Sequence, residues 1–168
     1  MLSQTRIAST RTISWVVGWL ADIARQLLEA ATFSAMPQRD VQGFRVFVIR
    51  SRIADEDVFV RVDAALVLIA IIDPRRFARM RMDVRQIVVT SLANADGAYV
   101  ARSQTCYLNE ARVGESDSST VARILVHEAT HARLEHAGVR PWRDRKDRYE
   151  RVCSMQEVAF ASKLPLST

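Results

Sequence analysis

The chain has 168 residues, of which 49% are hydrophobic and 26% charged, as in a folded protein with one domain or one domain plus a helix. Its formal net charge is +5, but 19 acidic residues are interspersed with 24 basic ones and no nucleic-acid recognition motif occurs, so a nucleic-acid partner is not expected. Two cysteines, Cys106 and Cys153, are too few for a disulfide framework and are expected to be small buried residues.

Residues 1–36 are predicted to form an amphipathic helix ahead of a domain at residues 40–168. The apolar run Ile13–Ala21 follows a basic start, but it is too short to span a membrane and no convincing cleavage site follows it. Ser14–Phe33 instead predicts a helix with one apolar face. That face consists of Trp15, Trp19, Ile23, Leu27 and Leu28. We expect it to pack on the domain of a cytoplasmic protein; the alternative is peripheral contact with a membrane surface.

The first half of the domain predicts one strand and one buried helix. After a linker at Met36–Asp40, the residues Gly43–Arg50 alternate in polarity and are rich in β-branched side chains, as in a strand. A turn is predicted at Ala54–Asp57. The continuously apolar stretch that follows predicts a buried helix from about Val60 to Ile72, because it is too short to cross a bilayer.

The next segment is punctuated by turn-forming residues. Asp73-Pro74 breaks the buried helix, and a basic tail follows whose arginines are expected to form a solvated face rather than an anion site. Those arginines are Arg75, Arg76, Arg79 and Arg81. Val84–Thr90 predicts a second strand. After a turn at Asn94–Gly97, Ala98–Leu108 predicts one strand or a hairpin broken near Ser103.

The stretch Ser118–Gly138 contains the HExxH pattern inside a predicted helix, and its glycine can form a left-handed C-terminal cap. Candidates for the N-cap are Ser118, Ser119 and Thr120. His127 and His131 are four residues apart, so both imidazoles lie on one helix face and can reach one metal ion. Glu128 can then take a proton from a water molecule in an open coordination position. The pattern therefore predicts a catalytic metal site.

A third ligand is expected, since catalytic zinc has three protein ligands. A polar loop at Gly114–Ser119 leads into the first helix, and a second helix is predicted at Pro141–Leu164. The candidates are Glu135, His136, Glu150 and Glu157. In an antiparallel helix pair, His131 is about 8 Å from the turn, whereas Glu150 is about 13 Å and Glu157 about 24 Å from it, at 1.5 Å per residue. This favours Glu150, with Glu157 as the alternative if the packing is shifted.

The HExxH residues followed by Glu150 resemble the gluzincin metallopeptidases, and the size is similar to small single-domain minigluzincins. The resemblance implies a zincin-like α+β fold, in which a small mixed sheet packs on the HExxH helix and a following C-terminal helix. It implies Zn²⁺ held by His127, His131 and Glu150, hydrolysis of a peptide or protein substrate, and Glu128 as general base. It also implies an edge strand within Ala98–Leu108 that pairs with the extended substrate.

The chain departs from parts of the family pattern. The exopeptidase signature of gluzincin aminopeptidases is absent, and Arg151 follows Glu150 where thermolysin-like enzymes have asparagine. No residue stands out as a transition-state stabiliser; Tyr107 and Tyr149 are candidates, although a packing role is the simpler expectation for each. The alternative function is a catalytically latent gluzincin-like metal-binding module with a regulatory or partner-binding role, whose basic stretch Arg140–Arg151 covers the cleft or docks a partner.

Overall fold

The computed structural model describes residues 35–49, 51–139 and 146–165. The described helices and strands belong to one compact unit that starts at Pro37. The helix predicted at Ser14–Phe33 lies outside the described residues, as does the predicted helix start at Pro141. Among the helices that are described, none has the length and apolar character needed to cross a membrane.

Five short strands form one mixed sheet in the order β1-β2-β3-β5-β4. The strands are β1 (Gln38–Val41), β2 (Phe44–Val48), β3 (Gln86–Thr90), β4 (Gly97–Val100) and β5 (Thr105–Asn109). β2, β3 and β5 run parallel, whereas β1 and β4 are antiparallel edge strands. The inner strands β2 and β3 are mostly buried, as expected for apolar strands covered on both faces. Together with five helices among the described residues, this sheet confirms the predicted α+β class.

The linker predicted at Met36–Asp40 is wrong in part, because β1 already begins at Gln38. Three of the four β1 residues are exposed, so the strand carries no apolar pattern of its own. It is held by antiparallel pairing with β2 across a two-residue turn. Gln42 and Gly43 in this turn both have positive φ, at 51° and 82°, as tight hairpin turns require.

The buried helix is longer than predicted. Helix α1 spans Asp55–Ile72, so most of the turn predicted at Ala54–Asp57 is its first turn. Three acidic residues occupy that turn, where the positive end of the helix dipole favours negative charge. A face at helical spacing is buried against the sheet and the other helices. It comprises Val58, Val62, Ala65, Leu66 and Ile69.

The break after α1 is confirmed, but the basic tail is a second helix rather than an irregular segment. Helix α2 spans Pro74–Asp83. Its N-cap is Asp73, whose carboxylate accepts a hydrogen bond from the backbone N–H of Arg76 at 3.0 Å. The expected solvated face is confirmed for the exposed arginines of α2. These are Arg75, Arg79 and Arg81, whereas the prediction is wrong for Arg76, which is partly buried and forms an ion pair with Asp73 at 3.4 Å.

A hairpin and a short helix lead to the HExxH helix. The break predicted near Ser103 is confirmed, because β4 and β5 form an antiparallel hairpin. Helix α3, Glu110–Glu115, then occupies the first part of the predicted loop at Gly114–Ser119. Asn109 caps α3 through its side chain, which accepts a hydrogen bond from the N–H of Ala111 at 3.2 Å.

Helix α4, Ser118–His136, carries the HExxH residues. Its N-cap is Asp117 rather than one of the predicted hydroxyl residues, and the Asp117 carboxylate accepts a hydrogen bond from the N–H of Thr120 at 2.8 Å. Gly138 has φ +77° just past the helix end, so the predicted left-handed cap is confirmed. Helix α5, Lys146–Ala161, packs along α4, which also contacts α1 and β4.

Candidate metal centre and active site

His127 and His131 project from the same face of α4 towards α5. Their ring centroids are 5.0 Å apart, as expected from the four-residue spacing. Burial is the main influence on the pKa of His131 and lowers it; the charge of Glu150 acts in the opposite direction, and His127 lowers the pKa further. A lowered pKa keeps the imidazole of His131 neutral, which is the form that binds a metal ion.

Helix α5 brings one carboxylate to both histidines. Oε2 of Glu150 lies 3.6 Å from Nε2 of His127 and 3.5 Å from Nε2 of His131. Two atoms bound to one tetrahedral zinc ion at 2.0–2.1 Å are roughly 3.4 Å apart. Both measured separations are close to this value. The carboxylate of Glu150 is therefore close enough to each imidazole to share a small divalent cation with it.

Glu157 lies on the other nitrogen of His127. Its Oε2 is 3.2 Å from Nδ1 of His127, and its Oε1 accepts a hydrogen bond from Arg123 at 2.9 Å. A carboxylate in this position fixes the imidazole tautomer with the proton on Nδ1, which leaves Nε2 unprotonated. In this geometry Glu157, the alternative third ligand, is placed to orient His127, and Glu150 faces the shared Nε2 side.

Two further residues of α5 contact His131. Sγ of Cys153 is 3.4 Å from its Nδ1, and the ring of Tyr149 stacks on the imidazole with centroids 5.1 Å apart. The Tyr149 hydroxyl donates a hydrogen bond to the backbone carbonyl of His131 at 3.2 Å. Residues 150, 153 and 157 follow a helical stripe, so one face of α5 supplies the two carboxylates and the thiol that meet the imidazoles, and Tyr149 stacks beside them.

Cys153 is buried, as expected, and it is also a potential metal ligand. One donor atom each from His127, His131 and Cys153 lies within 4.8 Å of the other two, so this cluster could hold a metal ion. Burial raises the pKa of the Cys153 thiol to about 12, with smaller effects from Glu150 and Glu128. Without a bound cation the thiol is therefore protonated and a weak hydrogen-bonding partner for His131.

Glu128 is a buried carboxyl group next to the histidines. It is 6% exposed, and no described residue forms a hydrogen bond or ion pair with its side chain. Burial raises its pKa to about 8, and the negative charges of Glu150 and Glu157 add to the increase. A buried carboxylate without a partner is costly, so this group is poised to gain a cation or a proton.

An open cleft of about 400 Å³ lies beside the HExxH residues. Its walls come from α4, α5, β4 and the turn after β4. The lining residues are Gly97, Ala98, Tyr99, Ala101, His127, Glu128, His131, Glu135, Tyr149 and Glu150. The edge strand β4 therefore runs along the same cleft that exposes the histidine pair.

Gly97 allows β4 to approach α4 closely. A Cβ atom at this position would be 2.8 Å from Cγ2 of Ile124 and 2.9 Å from Cγ of Glu128, which is closer than ordinary packing permits. The glycine is therefore needed beside the Glu128 side chain. The predicted turn at Asn94–Gly97 marked this residue only as a turn former, and nothing local in the sequence indicates a contact 31 positions away.

Without metal, the Glu128→Gln variant should become more stable relative to the wild type as the pH rises. Between pH 4.5 and about 8 the unfolded chain ionises Glu128 but the folded chain keeps it protonated, so the wild-type unfolding free energy falls by up to ~1.4 kcal/mol per pH unit from this group. Glu128→Gln removes this contribution. Urea unfolding of both proteins with a chelator at pH 5 and pH 8 gives the unfolding free energy of Glu128→Gln minus that of the wild type at each pH. This difference should be larger at pH 8 than at pH 5, because titrating groups shared by both proteins cancel in it. The same difference at both pH values would contradict the prediction.

His136 and Glu135 are the two sequence candidates that the structure keeps away from the pair of imidazole Nε2 atoms. His136 is exposed at the end of α4, as expected, and its Nδ1 is 3.7 Å from the buried carboxylate of Asp83. Glu135 lines the cleft one turn beyond His131. Tyr99, which the sequence analysis did not single out, also lines the cleft and donates a hydrogen bond to the carbonyl of Asp83 at 3.4 Å.

No protein-family model, curated protein or solved structure matches this chain. The function must therefore be argued from the chemistry and geometry of the cleft.

Proposed function

We propose that the protein is a zinc-dependent metallopeptidase of the gluzincin type, with a zincin-like fold. The observation that carries this proposal is the position of Glu150, whose Oε2 is within 3.6 Å of Nε2 of both HExxH histidines. The arrangement of the sheet supports the fold assignment, because an antiparallel edge strand lines the cleft. The proposed metal ligands are His127, His131 and Glu150.

The site fits a divalent cation in three respects. The donors are two neutral imidazoles and a carboxylate, which is a common ligand set of catalytic zinc. The Nδ1 atom of each imidazole is in contact with a side chain of α5, so each Nε2 is available for the ion. The unpartnered carboxyl group of Glu128 lies next to the first ligand and gains electrostatic compensation from a nearby cation.

A zinc ion in this position would polarise the scissile carbonyl group and acidify a water molecule. The remaining steps belong to the chain. Glu128 accepts a proton from the attacking water and delivers it to the leaving amine, as a general base and then a general acid. The edge strand β4 pairs with the extended peptide and aligns the scissile bond with the histidine pair. Tyr149 stacks on His131 and holds its ring in place.

Elemental analysis of purified wild-type protein and His127→Ala tests the proposal. The wild type should contain about one zinc per chain and cleave unstructured peptides in a chelator-sensitive manner; His127→Ala should lose both metal and cleavage, because two ligands hold zinc poorly. His136→Ala is the matched control, since this histidine lies outside the ligand set and should leave both unchanged. A wild type without stoichiometric metal, or with cleavage that persists in a chelator, would refute the proposal.

A second candidate function is a catalytically latent metal-binding module. The proximity of Cys153 to both histidines favours it, because an ion held by His127, His131 and the Cys153 thiolate would replace the ligand set with Glu150 on which the hydrolytic mechanism depends. The same measurements separate the two candidates. Stoichiometric zinc without cleavage of any peptide supports the latent module, whereas chelator-sensitive cleavage supports the peptidase.

A further inference from the structure

Glu135 lies in the cleft but has no role in the proposed hydrolysis. It is one turn beyond His131 on α4, and no described residue forms a hydrogen bond or ion pair with its carboxylate. Its negative charge affects the pKa values of two tyrosines that line the cleft. After burial, which is the largest effect for both groups, Glu135 contributes to the raised pKa values of Tyr99 and Tyr149. All three residues line the same cleft.

The charged side chains of aspartate, glutamate, lysine and arginine type among the described residues that line the cleft are all acidic. The chain as a whole carries a net charge of +5, but no arginine or lysine occurs among the described residues that line the cleft. Glu128, Glu135 and Glu150 all contribute to the lining. These acidic side chains favour a cationic ligand in the cleft.

A bound divalent cation would neutralise the carboxylates of Glu150 and Glu128, but not that of Glu135. A divalent cation held by the histidines and Glu150 has two positive charges, which the carboxylates of Glu150 and Glu128 balance. Glu157 is paired separately with Arg123. Glu135 is then the carboxylate of the cleft that a substrate can still reach and neutralise.

A buried carboxyl group in the cleft is a second indication of a ligand. The Glu128 carboxyl group is 6% exposed and has no partner among the described residues, although it lines an open cleft of about 400 Å³. A cleft lined by a carboxylate and two tyrosines is suited to an ammonium or guanidinium group, because the negative faces of aromatic rings attract the same cation that the carboxylate pairs with.

We propose that the cleft selects peptides with a cationic group beside the scissile bond, and that Glu135, which lines the cleft together with Tyr99 and Tyr149, is the residue that selects it. The cationic group is either a lysine or arginine side chain or a free N-terminal ammonium, which share the same chemistry. This inference rests on the proposed peptidase function and names its substrate class. It also predicts that high salt weakens the selectivity, since the cleft is open to solvent.

Four quenched fluorescent peptides test the proposal. They share an alanine-rich sequence with one lysine or one norleucine at its centre, and each is made with a free and with an acetylated N-terminus. Wild-type kcat/KM should be about tenfold higher either for lysine than for norleucine or for the free than for the acetylated N-terminus, which is the gain expected from a partly buried charge pair. A preference for lysine identifies a side-chain subsite, whereas a preference for the free terminus identifies an aminopeptidase.

The selectivity ratio should fall to about one in Glu135→Gln and should persist in Glu115→Gln, a matched control at an exposed glutamate outside the cleft. Equal cleavage of all four peptides by the wild type, or an unchanged ratio in Glu135→Gln, overturns the inference and leaves the peptidase proposal standing.

Fluorescence anisotropy of the same peptides with zinc-loaded Glu128→Gln gives a readout without turnover. If nothing is cleaved but the cationic peptide binds about tenfold tighter, the inference holds without the peptidase; if no peptide binds or is cleaved, both fall.

Discussion

Replacing Glu128 with glutamine should lower kcat for peptide hydrolysis by about 10²- to 10⁴-fold, the range that a general base contributes. Glutamine has the same shape as glutamate but cannot accept the proton of the attacking water. The proposed ligands His127, His131 and Glu150 are untouched, so one zinc per chain should remain bound. The measurement is kcat and KM together with the zinc content of the same sample. A fall in kcat with little change in KM indicates that chemistry rather than binding is lost.

Two controls make the result specific. Glu115→Gln changes an exposed glutamate outside the cleft and should keep full activity. His131→Ala should lose hydrolysis and zinc together, which distinguishes loss of the base from loss of the metal. Hydrolysis at the wild-type rate in Glu128→Gln would show that another group takes the proton.

Removal of Glu150 should weaken zinc binding far more than removal of Glu157. In the structure Glu150 faces Nε2 of both histidines, whereas Glu157 contacts Nδ1 of His127. Loss of a direct ligand should lower the affinity more than about 100-fold, while loss of an outer carboxylate that orients a ligand costs about 10- to 100-fold. Competition with a chelating zinc indicator measures both Glu150→Gln and Glu157→Gln.

The comparison is internally matched, because both glutamates lie on α5 two turns apart. Circular dichroism and urea unfolding of the metal-free variants show whether α5 stays folded. If Glu157→Gln proves the more damaging of the two, the ligand assignment is reversed and the ion must lie nearer to Nδ1 of His127. If neither variant loses affinity, Cys153 is the remaining donor of the cluster within 4.8 Å.

Local pattern predicted the elements with strong apolar periodicity and missed those without it. The strands β2 and β3 and the helices α1 and α4 carry buried runs that identify them. β1 and α3 are short and largely polar, and they are held by pairing with β2 or by the Asn109 cap. The N-cap and proline at the start of α2 are visible in the sequence, but its many arginines drew the interpretation towards a solvated tail.

The ligand pair and the third ligand differ in how far sequence could define them. The four-residue spacing of His127 and His131 within one helix leaves little freedom, because the helical repeat sets the distance between their rings. The proposed third ligand comes from another helix, where distances along the helix favour Glu150 without excluding Glu157. The rotation and offset of α5 against α4 decide which nitrogen each carboxylate meets, and these depend on side-chain packing across the interface.

By itself, the sequence determined an HExxH helix with its two imidazoles on one face, Glu128 next to them and the glycine cap that ends the helix. These depend on interactions within a few residues, which the chain encodes locally. Only the tertiary structure decided that Glu150 meets both Nε2 atoms, that Glu157 and Cys153 contact the Nδ1 atoms, and that Gly97, Tyr99 and Glu135 share the cleft. These neighbours come from separate elements, and their distances are set by how β4, α4 and α5 pack around a common core.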